Sequence, residues 1–454
     1  MRIASRLAAA LLSAAILSPV GADTADLTDI LNAAIGADPE WSAAQRTLQA
    51  DHELATQGRA ALMPNVVASY SLSRNYREYD DPLLDELRFT NEVAALTLVQ
   101  PLFRPDAWHS RGQGKALSNA GEARFEEARQ NFLLRTTERY LDVLRRWEDL
   151  QTARAEERAL SRQLEQTQER FDVGLVPVTD VEEAKAVYDL SRVSLIVAEA
   201  DFEISRDQLE ALTGRAWEKL AGLREELPMS GPEPAQPSHW MERARSNNPQ
   251  LLASRYEADA AKAVARQRTS AQLPSVNLVG RYEQVEFSNA NVAPPPNSTQ
   301  FLGYDGKSIG IEASIPLFAG GGLNSQRKEA SYRYQAAEEI YRLVWRDVGQ
   351  GAQSLARQVT ASAQNVMARK QALRSAESAL RATESGYEVG TRNVVDVLTA
   401  QRNLYANQRD YSAARYDYIV VSLRLQAAAG DLSSEDIDLI NGWLTPEVTV
   451  DLGH

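Results

Sequence analysis

The 454-residue chain contains no cysteine. That absence excludes a disulfide framework, a thiolate metal site and a thiol nucleophile. It also excludes an N-terminal lipid anchor, which needs a cysteine at its processing site. The four histidines, His52, His109, His239 and His454, stand far apart and show no metal-ligand spacing. Beyond the N-terminus no apolar run reaches the ~18 residues that a membrane helix requires. The nearest approach, Tyr418 to Ala429, is interrupted by Arg424. Basic residues are outnumbered by acidic ones, 49 to 62, and a formal charge of −13 argues against a nucleic-acid partner. No nucleophile–base–acid set stands out. Gly320-Gly321-Gly322 is not followed by the Lys-Ser/Thr of a phosphate loop and reads as a turn. Neither an enzyme nor a cofactor is expected.

What is present begins with a leader. Arg2 and Arg6 precede a largely apolar stretch from Leu7 to Leu17, and Val20-Gly21-Ala22 supplies small residues for cleavage. Residues 1–22 therefore read as an export signal. An exported chain without a membrane helix can enter a bilayer only through β-strands.

The chain also repeats itself. Asp38-Pro39 and Pro64 recur as Asn248-Pro249 and Pro274, an offset of 210. Pro101-Leu102-Phe103 recurs as Pro316-Leu317-Phe318, an offset of 215. Phe171-Asp172-Val173-Gly174 recurs as Tyr387-Glu388-Val389-Gly390, and Asp180 and Gly214 recur as Asp396 and Gly430, all at 216. So small a drift marks an internal duplication. It divides the chain into a first repeat (23–214), a linker (215–247), a second repeat (248–430) and a short tail (431–454). Pro228, Pro232, Pro234 and Pro237 fall in the linker, which is expected to wrap outside the helices, as is the tail with a helix from Ser434.

Each repeat reads helix, two strands, long helix, tip, helix. The first helices, about 38–63 and 248–273, are rich in good helix formers and stop at proline. Strands are expected near 64–76, 88–101, 275–285 and 308–317 from period-two patterning. Val66, Ala68, Tyr70 and Leu72 alternate with mostly polar neighbours. So do Ala94, Leu96 and Leu98, then Val276, Leu278, Gly280 and Tyr282, then Ile309, Ile311, Ala313 and Ile315. The connecting loops, Arg77 to Glu86 and Glu286 to Lys307 with Pro294-Pro295-Pro296, are turn-prone. Long helices over 106–172 and 322–388 would each span about 100 Å. Tyr140, Leu144, Trp147, Leu160, Leu164 and Phe171 form a coiled-coil-like seam on the first, and Leu373, Leu380 and Tyr387 on the second. Tips near 173–179 and 389–395 lead into helices over 179–213 and 394–429. The two shorter helices of each repeat together nearly match the long one, so they can stack end to end along it.

Four amphipathic strands cannot close on themselves, and an open edge in lipid leaves backbone groups unpaired. Two chains would give eight strands, too narrow for much of a pore, whereas three give twelve. The competing readings are a small soluble sheet beside a bundle, and a secreted coiled-coil structural or adhesion protein without a pore.

The stretch Ser385-Gly386-Tyr387-Glu388-Val389-Gly390-Thr391-Arg392-Asn393-Val394-Val395-Asp396-Val397-Leu398 resembles the second helix tip of TolC-family outer-membrane channels. Arg170-Phe171-Asp172-Val173-Gly174-Leu175-Val176-Pro177-Val178-Thr179-Asp180-Val181 resembles the first tip, and Pro316-Leu317-Phe318 with Gly320-Gly321 resembles the strand-to-helix turn. The resemblance covers essentially the whole chain beyond the leader. It implies an α+β membrane protein in which coiled-coil hairpins form an α-barrel and four strands per chain join a homotrimeric, twelve-stranded outer-membrane barrel. It further implies a periplasmic tunnel, a periplasmic adaptor and an inner-membrane transporter as partners, surrounding outer-membrane lipid, and a role as exit duct for efflux or type I secretion. Carried over residue by residue, Asp396 matches an aspartate ring at the periplasmic mouth, while the family's second acid one turn on is replaced by Thr399. Thr179, Asp180, Tyr387 and Arg392 match positions that tie the coiled coils together, with an Arg392–Asp180 pair expected. Val173, Gly174, Leu175, Val389, Gly390 and Thr391 match the tips that dock the adaptor. Read from the residues alone, Asp180 and Asp396 are helix-capping groups, with Thr179-Asp180-Val181-Glu182 fitting a capping box worth about 1 kcal/mol.

Overall fold

The computed structural model describes residues 24–78, 80, 86–288, 290–291 and 302–452. The expected leader and the triple-proline stretch lie outside the described residues. In chain order the elements are α1 (Leu27–Ala37), α2 (Pro39–Ala60), β1 (Asn65–Arg77), β2 (Leu87–Phe103), α3 (Pro105–Asp172) and α4 (Val178–Thr213). There follow β3 (Lys219–Leu223), α5 (Pro237–Asn247), α6 (Pro249–Ser270), β4 (Ser275–Ser288), β5 (Tyr304–Ser314), α7 (Gly322–Glu388), α8 (Val394–Ala429), α9 (Ser434–Asn441) and β6 (Leu444–Asp451).

The repeated Asp-Pro and Asn-Pro pairs mark a break between two helices, not the start of one. Asp38 ends α1 with its N–H bound to the Ala34 carbonyl, and its carboxylate accepts from the Glu40 amide at 3.0 Å to open α2. Asn248 does the same between α5 and α6, accepting from the Leu251 amide at 3.1 Å. Proline at the first helical position has the right φ and no amide to waste. The helices before these breaks, α1 and α5, were not expected from periodicity. They are nonetheless equivalent to each other at the offset of 210.

The strands form one antiparallel sheet in the order β1-β2-β4-β5, so the two hairpins meet at β2 and β4. Register brings the four apolar sets onto one face. One row across the sheet reads Val66, Leu98, Gly280, Ile309, and the next reads Ala68, Leu96, Tyr282, Lys307. Rows on the opposite face read Val67, Thr97, Arg281, Ser308 and Ser69, Ala95, Glu283, Gly306. There Arg281 pairs with Glu283 at 2.8 Å. The apolar face is open: Tyr70, Leu72, Ile309 and Ile311 are each 60% exposed or more. β1 and β5 each present one unpaired backbone edge within the chain.

Helices α2 and α4 both lie along α3, and α6 and α8 both lie along α7, as the length match requires; α3 also packs on α6 and α8. α2 approaches α3 closely because the facing positions are small. A Cβ on Gly114 would stand 2.4 Å from the Leu54 carbonyl oxygen, and one on Gly121 would strike Asp51.

At mid-height the main core forms around Tyr140, Leu141 and Leu144 of α3, which meet Ile30, Leu220, Ile419 and Ile437. The linker and tail contribute a second sheet, β3 paired antiparallel to β6, which sequence patterning did not reveal. The Tyr140 hydroxyl donates to the Ala221 carbonyl at 2.6 Å and ties α3 to that sheet. Nearby, Glu148 of α3 accepts from the Tyr416 hydroxyl at 2.7 Å and from Ser412, and faces Arg415. Burial pushes the Tyr416 hydroxyl well above its ordinary pKa, which keeps it a donor.

Gly114→Val is expected to cost about 1–3 kcal/mol through overpacking against α2. Gly351→Ala, where nothing lies within 4 Å of the added carbon, is expected to be neutral or slightly stabilising. Thermal unfolding followed by helical circular dichroism checks both; equal midpoints would contradict the close α2–α3 contact.

Candidate functional site

The two helix tips are built by the same local device. In the first, the Gly174 amide donates to the Phe171 carbonyl at 2.8 Å and the Leu175 amide to the Arg170 carbonyl at 2.8 Å. In the second, the Gly390 amide donates to Tyr387 at 3.1 Å and the Thr391 amide to Gly386 at 2.8 Å. This paired closure needs a left-handed residue after the helix, and Gly174 and Gly390 have φ of 74° and 77°. Val173, Leu175 and Val389 project beyond the turns, each more than 70% exposed.

Beyond the turns the tips diverge. Asn393 caps α8 by accepting from the Asp396 amide at 2.8 Å, and the Asp396 carboxylate accepts from the Asn393 amide at 3.3 Å. The equivalent of Asn393 in the first tip is Pro177, which has neither a side-chain acceptor nor an amide. Helix α4 accordingly starts at Val178 with no side-chain cap. The capping box expected at Thr179–Glu182 is not formed; those residues already lie within the first turns. Thr179 instead donates to the neighbouring Asp180 carboxylate at 3.4 Å.

Arg392 also departs from expectation. Its guanidinium lies 3.8 Å from Asp396, one turn along its own strand of chain, and not against Asp180. Both groups are well exposed, so the pair contributes under about 1 kcal/mol. Gly386 makes room for this arrangement, since a Cβ there would be 2.8 Å from Arg392 Cγ.

At their tips the two hairpins touch through Tyr387. Arg170 of the first tip sits over its ring at 4.6 Å, a cation–π contact of about 0.5–1 kcal/mol. Its hydroxyl is enclosed without a hydrogen-bond partner among the described residues. Behind the ring, Leu160, Ala184, Val394 and Leu398 form a small apolar cluster that joins α3, α4 and α8. Arg170, Gly386 and Asn393 escaped sequence reasoning. The offset of 216 could have revealed them, because it aligns Arg170 with Gly386 and Pro177 with Asn393, the places where the copies differ.

The site thus combines a weak inter-hairpin contact, one exposed carboxylate held at a helix start, and two apolar turns. Such an arrangement suits a movable constriction better than bond-making chemistry.

The outer membrane efflux protein family model matches residues 30–215 and 240–431. The outer membrane protein TolC of Vibrio cholerae is 34% identical over 424 residues, covering 92% of this chain and 94% of that protein. The alkaline protease secretion protein AprF of Pseudomonas aeruginosa is 28% identical over 421 residues, covering 91% and 86%. Among solved structures, the outer membrane protein VceC of Vibrio cholerae superposes with a TM-score of 0.74 at 21% identity, covering 89% of this chain and 96% of that one. The family is one of channels and not of enzymes. The chain belongs to the outer membrane efflux protein family, as an outer-membrane channel whose long helices extend into the periplasm.

Proposed function

We propose that three copies of this chain form a single exit duct for efflux or type I secretion, gated at the helix tips. The carrying observation is the four-stranded sheet with one apolar face and two unpaired edges. Joining β5 of one copy to β1 of the next satisfies both edges, and three copies give a twelve-stranded barrel. A second feature supports the assembly. Leu190, Val193, Val197 and Ile204 form an exposed apolar stripe on α4 at coiled-coil spacing, which a neighbouring copy would cover.

In this assembly the apolar face meets lipid, and the face bearing Arg281 and Glu283 lines the pore. The first and second repeats become two wall segments, and the linker and tail together become an outer belt made of α5, β3, α9 and β6. Three Asp396 carboxylates ring the periplasmic mouth and favour cations there. With Thr399 in place of a second acid, the ring holds three charges and not six. The Arg170–Tyr387 contact holds the two tips together weakly, which keeps opening inexpensive, while Arg392, Thr179 and Asp180 make only contacts within their own tips in this state. Val173, Gly174, Leu175, Val389, Gly390 and Thr391 present the docking surface for a periplasmic adaptor, which links the duct to an inner-membrane transporter. AprF is named for protease secretion, and the family for efflux; both fit a duct whose cargo is chosen upstream.

Single-channel recording in planar bilayers tests the gate. Asp396→Ala is expected to reduce cation preference, and an unchanged reversal potential would contradict its place at the mouth. Tyr387→Leu combined with Arg170→Gln, which removes the ring and the guanidinium that meet between the tips, is expected to raise open probability by up to about fivefold, matching the loss of roughly 1 kcal/mol of closed-state contact. Closed-state occupancy equal to that of the unaltered protein would remove these residues from the gate.

A further inference from the structure

We infer that a basic groove between α6 and α7, just below the sheet, binds the phosphate headgroup of an anionic phospholipid in the periplasmic leaflet. The groove has a volume of about 780 Å³ and is walled by Lys262 and Arg266 of α6 and by Arg327 and Lys328 of α7, with His109 and Tyr334 at its sides. Among the described residues no carboxylate lines it. Among the described residues none of the four Lys and Arg side chains forms an ion pair. In a chain with a net charge of −13, four cations around one hollow without a carboxylate partner call for an anion from elsewhere, even though Arg327 also donates to Asn324 at 2.9 Å.

Height along the molecule identifies the anion's source. Arg266 lies four residues before the end of α6, and Arg327 five residues into α7. At 1.5 Å per residue, both stand within about 8 Å of the helix ends that meet the sheet. The apolar face begins immediately above, at Val276 of β4 and Ala313 of β5. At the same junction Phe103 and Trp108 pack edge to face at 5.3 Å, and Leu317 and Phe318 are each 89% exposed. Exposed aromatic and apolar side chains at this level mark the lipid interface. The groove therefore sits at headgroup depth, where phosphates of the inner leaflet lie.

Orientation follows from α7, and this step rests on the duct reading above. Arg327, Tyr334, Tyr341 and Val348 recur every seven residues and share one helix stripe. Lower down, Tyr341 and Val348 pack with Ala244 of α5, and Arg245 of α5 stacks on the adjacent Trp345 at 3.5 Å. α5 cannot lie inside a conducting tunnel, so the stripe faces outward, and the groove opens to lipid and not to cargo. Lys262 lies 5.9 Å from the Tyr334 ring, whose hydroxyl donates to Glu338 on the periplasmic side at 2.7 Å. The cations are thus left facing the membrane side.

The test is native mass spectrometry of the whole mature protein taken from nanodiscs of phosphatidylethanolamine with a minor fraction of phosphatidylglycerol. The unaltered protein is expected to retain phosphatidylglycerol. Retention is expected to fall at least about tenfold when Lys262, Arg266, Arg327 and Lys328 are all changed to Gln, given the attraction of several basic side chains to an anionic surface. Should that variant fail to assemble, Arg266→Gln with Lys328→Gln serves, with a smaller fall. Arg111→Gln with Lys115→Gln, exposed on α3 outside the groove, is expected to retain lipid as before. Equal loss in that control, equal retention in the groove variant, or displacement of the lipid by millimolar inorganic phosphate would overturn the inference. Bilayer conductance of the same samples separates the two readings: conducting pores without selective lipid retention sink only the groove, whereas folded protein that never conducts sinks the duct reading with it.

Discussion

The structure depends on one constraint: in lipid every backbone N–H and C=O must find a protein partner. Within one chain the sheet satisfies three strand pairs and leaves two edges open. Each unsatisfied group in hydrocarbon costs several kcal/mol, so a lone four-stranded sheet cannot persist there. Closure with further copies removes that cost without adding a strand. The helices below inherit the same symmetry, because each strand of a hairpin runs directly into a helix of the wall.

Duplication makes this economical. One unit of helix, hairpin, long helix and return helix, used twice per chain, supplies both barrel and tunnel. The copies stay nearly identical where geometry is strict: proline after a capping Asp or Asn, glycine at each turn, alternation in each strand. They diverge at the tips. Pro177 against Asn393 decides which helix is capped, and Arg170 against Gly386 decides which hairpin reaches across to the other. Asymmetric, weakly joined tips follow from a symmetric frame. Away from the tips, close helix packing at Gly114 and the dense mid-height core around Tyr140 hold the helices together.

Much of this was legible in residue spacing. Strict alternation announced the strands, and the register confirmed that all four apolar sets share a face. The seam residues Tyr140, Leu144 and Leu160 are buried as expected, although Phe171 at the tip is exposed. Helices α1 and α5 were hidden because the Asp38 and Asn248 signals mark a C-terminus and an N-terminus at once. Strands β3 and β6 were hidden because two short segments from opposite ends of the chain become strands only by pairing. At the tips the resemblance named residues but not the contacts they make. Arg392 meets Asp396 because a helical turn brings them together without any tertiary cost. The Arg170–Tyr387 contact joins residues more than two hundred positions apart, and no local pattern predicts it.

The absence of cysteine allows a direct test of barrel closure. Ser69→Cys on β1 would be combined in turn with Gly306→Cys, Ser308→Cys or Gly310→Cys on β5, all on the same sheet face. After oxidation in the outer membrane and denaturing electrophoresis, one register is expected to give covalent species that stop at three chains. Monomers alone in every register, or a ladder that continues past three, would contradict closure of the sheet by a trimer.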